Sequence, residues 1–354
     1  MTNLSPPKKM KRRGAPKPPW FELPDEELLN LRLKDIPLSI DGTWLETCLN
    51  RLGDELRERG LKVRPHAWIS HEWFSPDHTS GIAIPFYLAH PRLMELERKM
   101  VLDVEGGTPS ECMRILRHEA GHVIQHSFAL HRRRRWQKQF GLSSTRYPEF
   151  YKPDPASRNF VQHLPRWYAQ SHPDEDFAET FAVWLTPKSN WRKRFSEWPA
   201  IQKIQYVDEL MGEISGAKPL LTRRLTMDPL NKLTSTLREH YARKLQHYGL
   251  ERPTTFDRNL HRIFPKTPRP GERLPATSFI RKNRAEIRQL AAEWTGEHQV
   301  NLDIVLDDIM SRCRVLKLRA ASMDDQAGMN SVALLTAKTV NSFYNTSRRQ
   351  WYAL

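Results

Sequence analysis

The chain has 354 residues, 39% of them hydrophobic, and 56 Lys and Arg against 41 Asp and Glu give a formal charge of +15. That length accommodates one large domain or two modest ones, with enough apolar residues for a core. No apolar run reaches the roughly eighteen residues of a membrane helix, and the basic N-terminus is not followed by the apolar stretch of a secretory signal.

The three cysteines, Cys48, Cys112 and Cys313, are scattered and form no C-x-x-C pair. They read as reduced core thiols, which makes a cytoplasmic protein the expectation. The charge is uneven. Residues 1–19 carry Lys8, Lys9, Lys11, Arg12, Arg13 and Lys17 without an acid, or +6; residues 221–290 carry 16 Lys or Arg against 6 acids, or +10. The rest sums to −1 (15 − 6 − 10), so the centre of the chain is near neutral and two flanking segments are basic. Both could bind nucleic acid, although no nucleic-acid module signature accompanies them and a solvated tail and helix face explain the same charge.

In chain order, residues 1–19 read as a basic disordered tail. Trp20 to Gly60 reads as short helices; the last has Trp44, Leu45, Cys48, Leu49, Leu52 and Leu56 at helical spacing. Two strands are expected at Lys62–Ser70 and Gly81–Leu88, the second a candidate sheet edge for an extended peptide if it is not a core strand. Pro91 to Asp103 reads as a helix. Thr108-Pro109-Ser110-Glu111 then announces another, with a Thr cap, proline at the first helical position and the glutamate of a capping box. It is expected to run to about Ala129. Ser171-His172-Pro173-Asp174 opens a second such helix, ending at Leu185 before Pro187. The expected domains are a catalytic one over 20–216, a basic Pro-containing connection over 217–279 and a helical C-terminal region over 280–354. The fold class is α+β, mainly α, with a small sheet before the active-site helix.

His118-Glu119-Ala120-Gly121-His122 spells H-E-x-x-H in the third and fourth turns of the first capped helix. Its two imidazoles lie on one helix face, where both can grip one Zn²⁺, and Glu119 is placed to take a proton from a water on the metal. A third ligand must come from elsewhere. His126 is eight residues from His118, about 12 Å of helix rise, too far to share the ion. Gln125 and Phe128 occupy the positions where a metzincin has Gly and His.

The second helix offers Glu175 and Glu179, one turn apart in a stripe with Ala178 and Ala182, while Phe177, Phe181, Trp184 and Leu185 form its core side. One carboxylate can bind zinc and the other accept a hydrogen bond from a ligating imidazole. Glu175 is assigned to the metal and Glu179 to the imidazole, and the sequence also allows the reverse. Tyr168, just ahead of this helix, is a candidate donor to the oxyanion of a tetrahedral intermediate, with Tyr147 and Tyr151 as competitors. His172 reads as a helix-start residue.

The stretches Leu116 to His122 and His172 to Phe181, with Gly81 to Tyr87, resemble the bacterial "putative zinc-binding metallopeptidase" family, and H-E-A-G-H followed by E-x-x-A-E is similar to the gluzincins. The resemblance covers about residues 20–215. It implies a zincin-like fold, one zinc per chain on His118, His122 and Glu175, Glu119 as general base and acid, and Glu179 as the acidic residue four positions after the ligand. Likeness to the anthrax-lethal-factor type of gluzincin, in its tyrosine before that ligand, adds weight to Tyr168. The expected function is a zinc peptidase acting on protein or peptide. Two other readings stand beside it: a nucleic-acid-associated protein with a recruited protease or a structural zinc, and a zinc amidase acting on a non-protein or cell-wall amide.

Overall fold

In the computed structural model, the described residues are 19–354 except 102, 149, 152, 155, 248–256, 265–273, 321, 323, 347–350 and 353–354. Residues 1–18 of the expected 1–19 tail and parts of the basic segment 221–290 lie outside them. The chain is α+β and mainly helical, with a small parallel sheet ahead of the helix that bears H-E-x-x-H.

That sheet consists of strand β1, His66–Ser70, and strand β2, Gly81–Pro85, paired in parallel from His66 opposite Gly81 to Ser70 opposite Pro85. Gly81 is required there because an added Cβ would lie 2.4 Å from the His66 ring and 2.5 Å from the Trp68 ring. The ten-residue connection is short for a parallel crossover, and it doubles back beside β2, where Ala83 N donates to Phe74 O at 2.8 Å. It thereby takes the far side of β2. All five β2 residues are buried, so β2 is not the free edge that an extended peptide would need. The strand also ends earlier than its apolar run: after Pro85, residues Phe86–Ala89 form a turn of 3₁₀ helix.

Two helices dominate the interior, Pro109–Ser127 and Pro173–Leu185. They pack on Trp44–Glu58, Pro91–Val101 and Ile201–Ile214 in one hydrophobic cluster that runs from Leu28 to Tyr241. Leu230, Leu237 and Tyr241 belong to it, so the early part of the sequence's connecting region packs on the first core. Residues 220–228 close the outer side of β1: Trp68 Nε1 donates to Met227 O at 2.8 Å, and Ser70 Oγ to Asp228 O at 2.7 Å. A second cluster, Leu260 to Val340, is built from Ala276–Lys282, Arg284–Thr295, Gln299–Val315 and Gln326–Thr346. Cys48, Cys112 and Cys313 are buried free thiols. Among the described residues, no helix is long and apolar enough to cross a membrane.

Candidate metal centre

The helix Pro109–Ser127 begins as its sequence dictates. Glu111 N donates to Thr108 Oγ1 at 3.3 Å and Thr108 N to Glu111 Oε2 at 3.2 Å, with Pro109 at the first position. This capping box fixes the helix phase, so His118, Glu119 and His122 emerge on a predetermined face. The opposing helix starts at His172, whose Nδ1 accepts from Asp174 N at 3.1 Å while Nε2 lies 2.8 Å from Thr145 O. Since Nδ1 accepts, Nε2 carries the proton and donates to that carbonyl. Asp174, Glu175 and Asp176 then fill a first turn whose exposed N–H groups favour negative charge.

Gly121 lets the two helices touch. A Cβ at that position would meet Ala178 Cα at 2.8 Å and Ala178 Cβ at 3.2 Å. Glycine facing alanine removes the side-chain spacer between the backbones, and Glu175 is thereby carried to the histidines. The stripe of Glu175, Ala178, Glu179 and Ala182 is fully buried against the active-site helix and does not form a solvated face.

His118 Nε2 lies 3.0 Å from Glu175 Oε2, His122 Nε2 lies 3.2 Å from the same oxygen, and the two ring nitrogens are 3.2 Å apart. A tetrahedral zinc with bonds of about 2.0–2.1 Å holds its ligand atoms about 3.3 Å apart. Glu179 has a different environment. Its Oε1 is 2.9 Å from His118 Nδ1, and its Oε2 accepts from the main-chain N–H of His163 at 3.0 Å and of Leu164 at 2.8 Å. A carboxylate only accepts, so Nδ1 of His118 carries a proton and Nε2 is the nitrogen turned toward His122 and Glu175. Three potential ligand atoms thus converge on one point, where a proton on an imidazole or a metal ion can bridge them; burial opposes charge on both rings, but Glu175 and Glu179 raise His118 well above its ordinary value and Glu175 raises His122. His118, His122 and Glu175 therefore fit a metal ion, and among the described residues they are the group of three able to hold one.

The electrostatics agree with these surroundings. Burial by itself would raise the Glu175 carboxyl, but His122 and His118 outweigh it and hold it well below the usual range. Glu179 is also buried, and the hydrogen bond from His118 together with His163 and the Leu164 N–H hold it low. Glu119 is shifted the other way: burial raises it, and the two histidines offset only part of the effect. Its Oε2 is buried without a hydrogen-bond partner.

A cavity of about 600 Å³ opens on these groups, with Glu119, Tyr147, Tyr151, Tyr168, Trp73 and Phe74 in its wall. Tyr168 stands with its ring 5.7 Å from that of His118, and burial first, then Glu175, raises its hydroxyl well above its ordinary value. Trp167 just before it holds the left-handed conformation with φ 54°, a sterically costly state for a bulky residue and one that turns the chain at the cavity wall. Tyr147 is in direct contact with Glu175. Its hydroxyl donates to Glu175 Oε1 at 2.9 Å, and its ring stacks on His172 at 3.7 Å. Burial, then Glu175, keeps this phenol protonated far above the normal range. His126 turns away from the ligands, with Nε2 3.0 Å from Asp77 Oδ1. No periodicity in the sequence marks His163, Leu164 or the 72–77 wall, all of which come from loops.

Residues 112–192 match the family model described as "Putative zinc-binding metallo-peptidase". No curated protein and no solved structure matches the chain. The matched segment holds both histidines, Glu119, Glu175 and Glu179, the residues of the motif pair on which the resemblance to that family rests.

Proposed function

We propose that this protein is a zinc-dependent, gluzincin-type peptidase that hydrolyses peptide bonds in the 600 Å³ cavity, with His118, His122 and Glu175 as the zinc ligands. One observation carries the reading: three ligand atoms converge within hydrogen-bonding distance of one another beside a buried glutamate with a free carboxylate oxygen. Bound there, zinc supplies Lewis-acid chemistry, polarising a carbonyl and lowering the pKa of water to about 7.

The protein's own groups do the rest. Glu119 receives the proton of the attacking water on Oε2 and passes it to the leaving amine. Its raised affinity for a proton, from burial, suits a group that must both accept and donate. Glu179 fixes the ring of His118 and its tautomer, and the His163 and Leu164 N–H groups fix Glu179 in turn. Tyr147 orients Glu175 through Oε1, leaving Oε2 toward the histidines. Tyr168 is the donor assigned to the substrate oxyanion, supported by its place in the wall beside His118.

The test is cleavage of a diverse peptide mixture by the zinc-loaded full chain and by Glu119→Gln. The wild type should cleave and the variant should retain zinc while losing about 10²–10⁴-fold in rate. Equal rates for the two proteins would remove Glu119 from the reaction. A wild type that cleaves non-peptide amides and no peptide would favour the amidase reading.

A further inference from the structure

The cavity's charge is opposite to that of the molecule. The chain carries +15 overall, yet among the described residues Arg114 is the sole Lys or Arg in the cavity wall. That wall includes Glu72, Asp103, Glu105 and Glu111, together with Trp73 and Ile115. Gly106 joins these parts, since a Cβ there would lie 3.1 Å from Trp73 and 3.3 Å from Ile115.

Glu72 is the carboxylate of interest. Its nearest cation is Lys244, which lies 2.9 Å from Glu97 Oε1 and 3.7 Å from Glu72 Oε1. The ammonium is thus bonded to Glu97, which is itself 1% exposed, and Glu72 is left with a long contact. Glu72 keeps 34% of its side-chain surface accessible, on a residue of the cavity wall. Enclosure by the surrounding protein pushes its carboxyl up to about 7, Lys244 opposes this, and Glu105 and Glu97 add to it. Two carboxyls share one ammonium, and a third, Glu105, stands beside them. At about 7 the Glu72 carboxyl is only partly charged in neutral solution, and a cation brought to the cavity side would favour its charged form. The same cavity reaches Glu119, so a molecule held at Glu72 lies in the space that opens on the candidate metal centre.

We propose that Glu72, with Glu105 beside it, is the specificity determinant of this cavity and selects peptides that present a lysine or arginine side chain to it. The aliphatic stem of such a side chain lies along Trp73 and Ile115, and its charged head reaches the carboxylate, the usual division of labour for a long cationic residue. Arg114 in the wall disfavours a second cation nearby, so the preference is for one basic residue at Glu72 rather than a polybasic run. The proposal rests on the peptidase reading of the same cavity, but its test reads binding rather than turnover.

Full-length Glu119→Gln protein is titrated with two fluorescent peptides that differ only in lysine against acetyl-lysine, at low and at moderate salt. The lysine peptide should bind about tenfold tighter at low salt, with the ratio shrinking as salt rises. Adding Glu72→Gln to the Glu119→Gln background should bring the ratio to about twofold or less, and Glu72→Asp should keep part of it. Thermal unfolding of each variant separates loss of recognition from loss of fold, and Glu105→Gln, at an exposed position, provides a milder reduction that does not depend on the buried cluster. Equal affinity for the two peptides, a ratio unchanged by Glu72→Gln in folded protein, or no binding of either peptide overturns the proposal. Selective binding by Glu119→Gln with no hydrolysis by wild type would instead reject the peptidase reading and leave the cation site standing.

Discussion

Glu175 and Glu179 stand one turn apart on the same helix, yet their neighbours give them different work. Glu175 shares one oxygen between two imidazole nitrogens, whereas Glu179 receives one imidazole and two main-chain N–H groups. Glu175→Ala is expected to abolish stoichiometric zinc binding. Glu179→Ala should lower zinc affinity about 10–100-fold while leaving binding measurable. A zinc titration in a competing chelator reads both, and the opposite order would exchange the two roles. The spacing identified this pair but not which member holds the metal, because the N–H groups that occupy Glu179 come from a loop more than a turn upstream. Tyr147 was weighed as a competitor to Tyr168; its bond to Glu175 is a through-space fact that no local pattern encodes.

Two buried histidines outside the proposed ligand set make a separate prediction at the same scale. His240 is held down to about 3 by burial first and then by Lys244, and His163 to about 4 by burial, only partly offset by Glu179. Both are neutral in the folded protein, whereas an unfolded histidine titrates at about 6.5. Unfolding therefore takes up protons below that value. The stability these neutral rings allow is present at pH 7 and is lost as pH falls from about 6.5 toward the folded values, by up to about 1.4 kcal/mol per pH unit for each ring. Denaturant titrations at about pH 6, 5 and 4 should show this slope, and His240→Leu should make it shallower. A variant with the wild-type slope would mean that His240 is protonated when folded.

At the scale of elements, the contact between Gly121 and Ala178 sets the site. Gly121→Ala should force the helices apart, costing about 1–3 kcal/mol of stability and weakening zinc binding, because the backbone of Ala178 offers nothing that can swing aside. Thermal unfolding of the metal-free protein and a zinc titration check the two effects separately; an unchanged protein in both would show that the helices have room to spare. The helix starts were legible to the residue: Thr108 and Glu111 make the bonds that their spacing announces, with Pro109 at the first position, and His172 with Pro173 opens the second helix. The β2 strand was less so. Its apolar run continues through Leu88, but Pro85 is followed by 3₁₀ turn, and a continuous apolar run cannot say whether a strand is central or at an edge. The doubling back of residues 72–77, which decides that question and also forms a wall of the cavity, is set by one long-range bond from Ala83 to Phe74.

For the whole molecule, charge and core organisation diverge from what composition alone implies. Much of the basic excess in 221–290 has internal partners among the described residues: Arg238 with Glu26, Lys244 with Glu97, Lys282 with Asp324, Arg284 with Asp303 and Asp307, and Arg288 with Asp303. These acids lie far away in sequence, so counting charge in a window could not find them. The pairing reduces the charge this segment can offer to a nucleic acid and leaves exposed cations such as Arg223 and Arg224 near the strap over β1. Two hydrophobic clusters organise the described chain, and the one around the metal centre gathers residues from Leu28 to Tyr241, so the site's support extends past the 112–192 segment that matches the family.

The central claim is that three side chains from two helices form one zinc site. Elemental analysis of the full chain, loaded with zinc and dialysed, tests it most directly when wild type and His118→Ala are measured together. The account predicts one zinc per wild-type chain and essentially none in the variant. A wild type that retains no transition metal, or a variant that retains as much as the wild type, would contradict it.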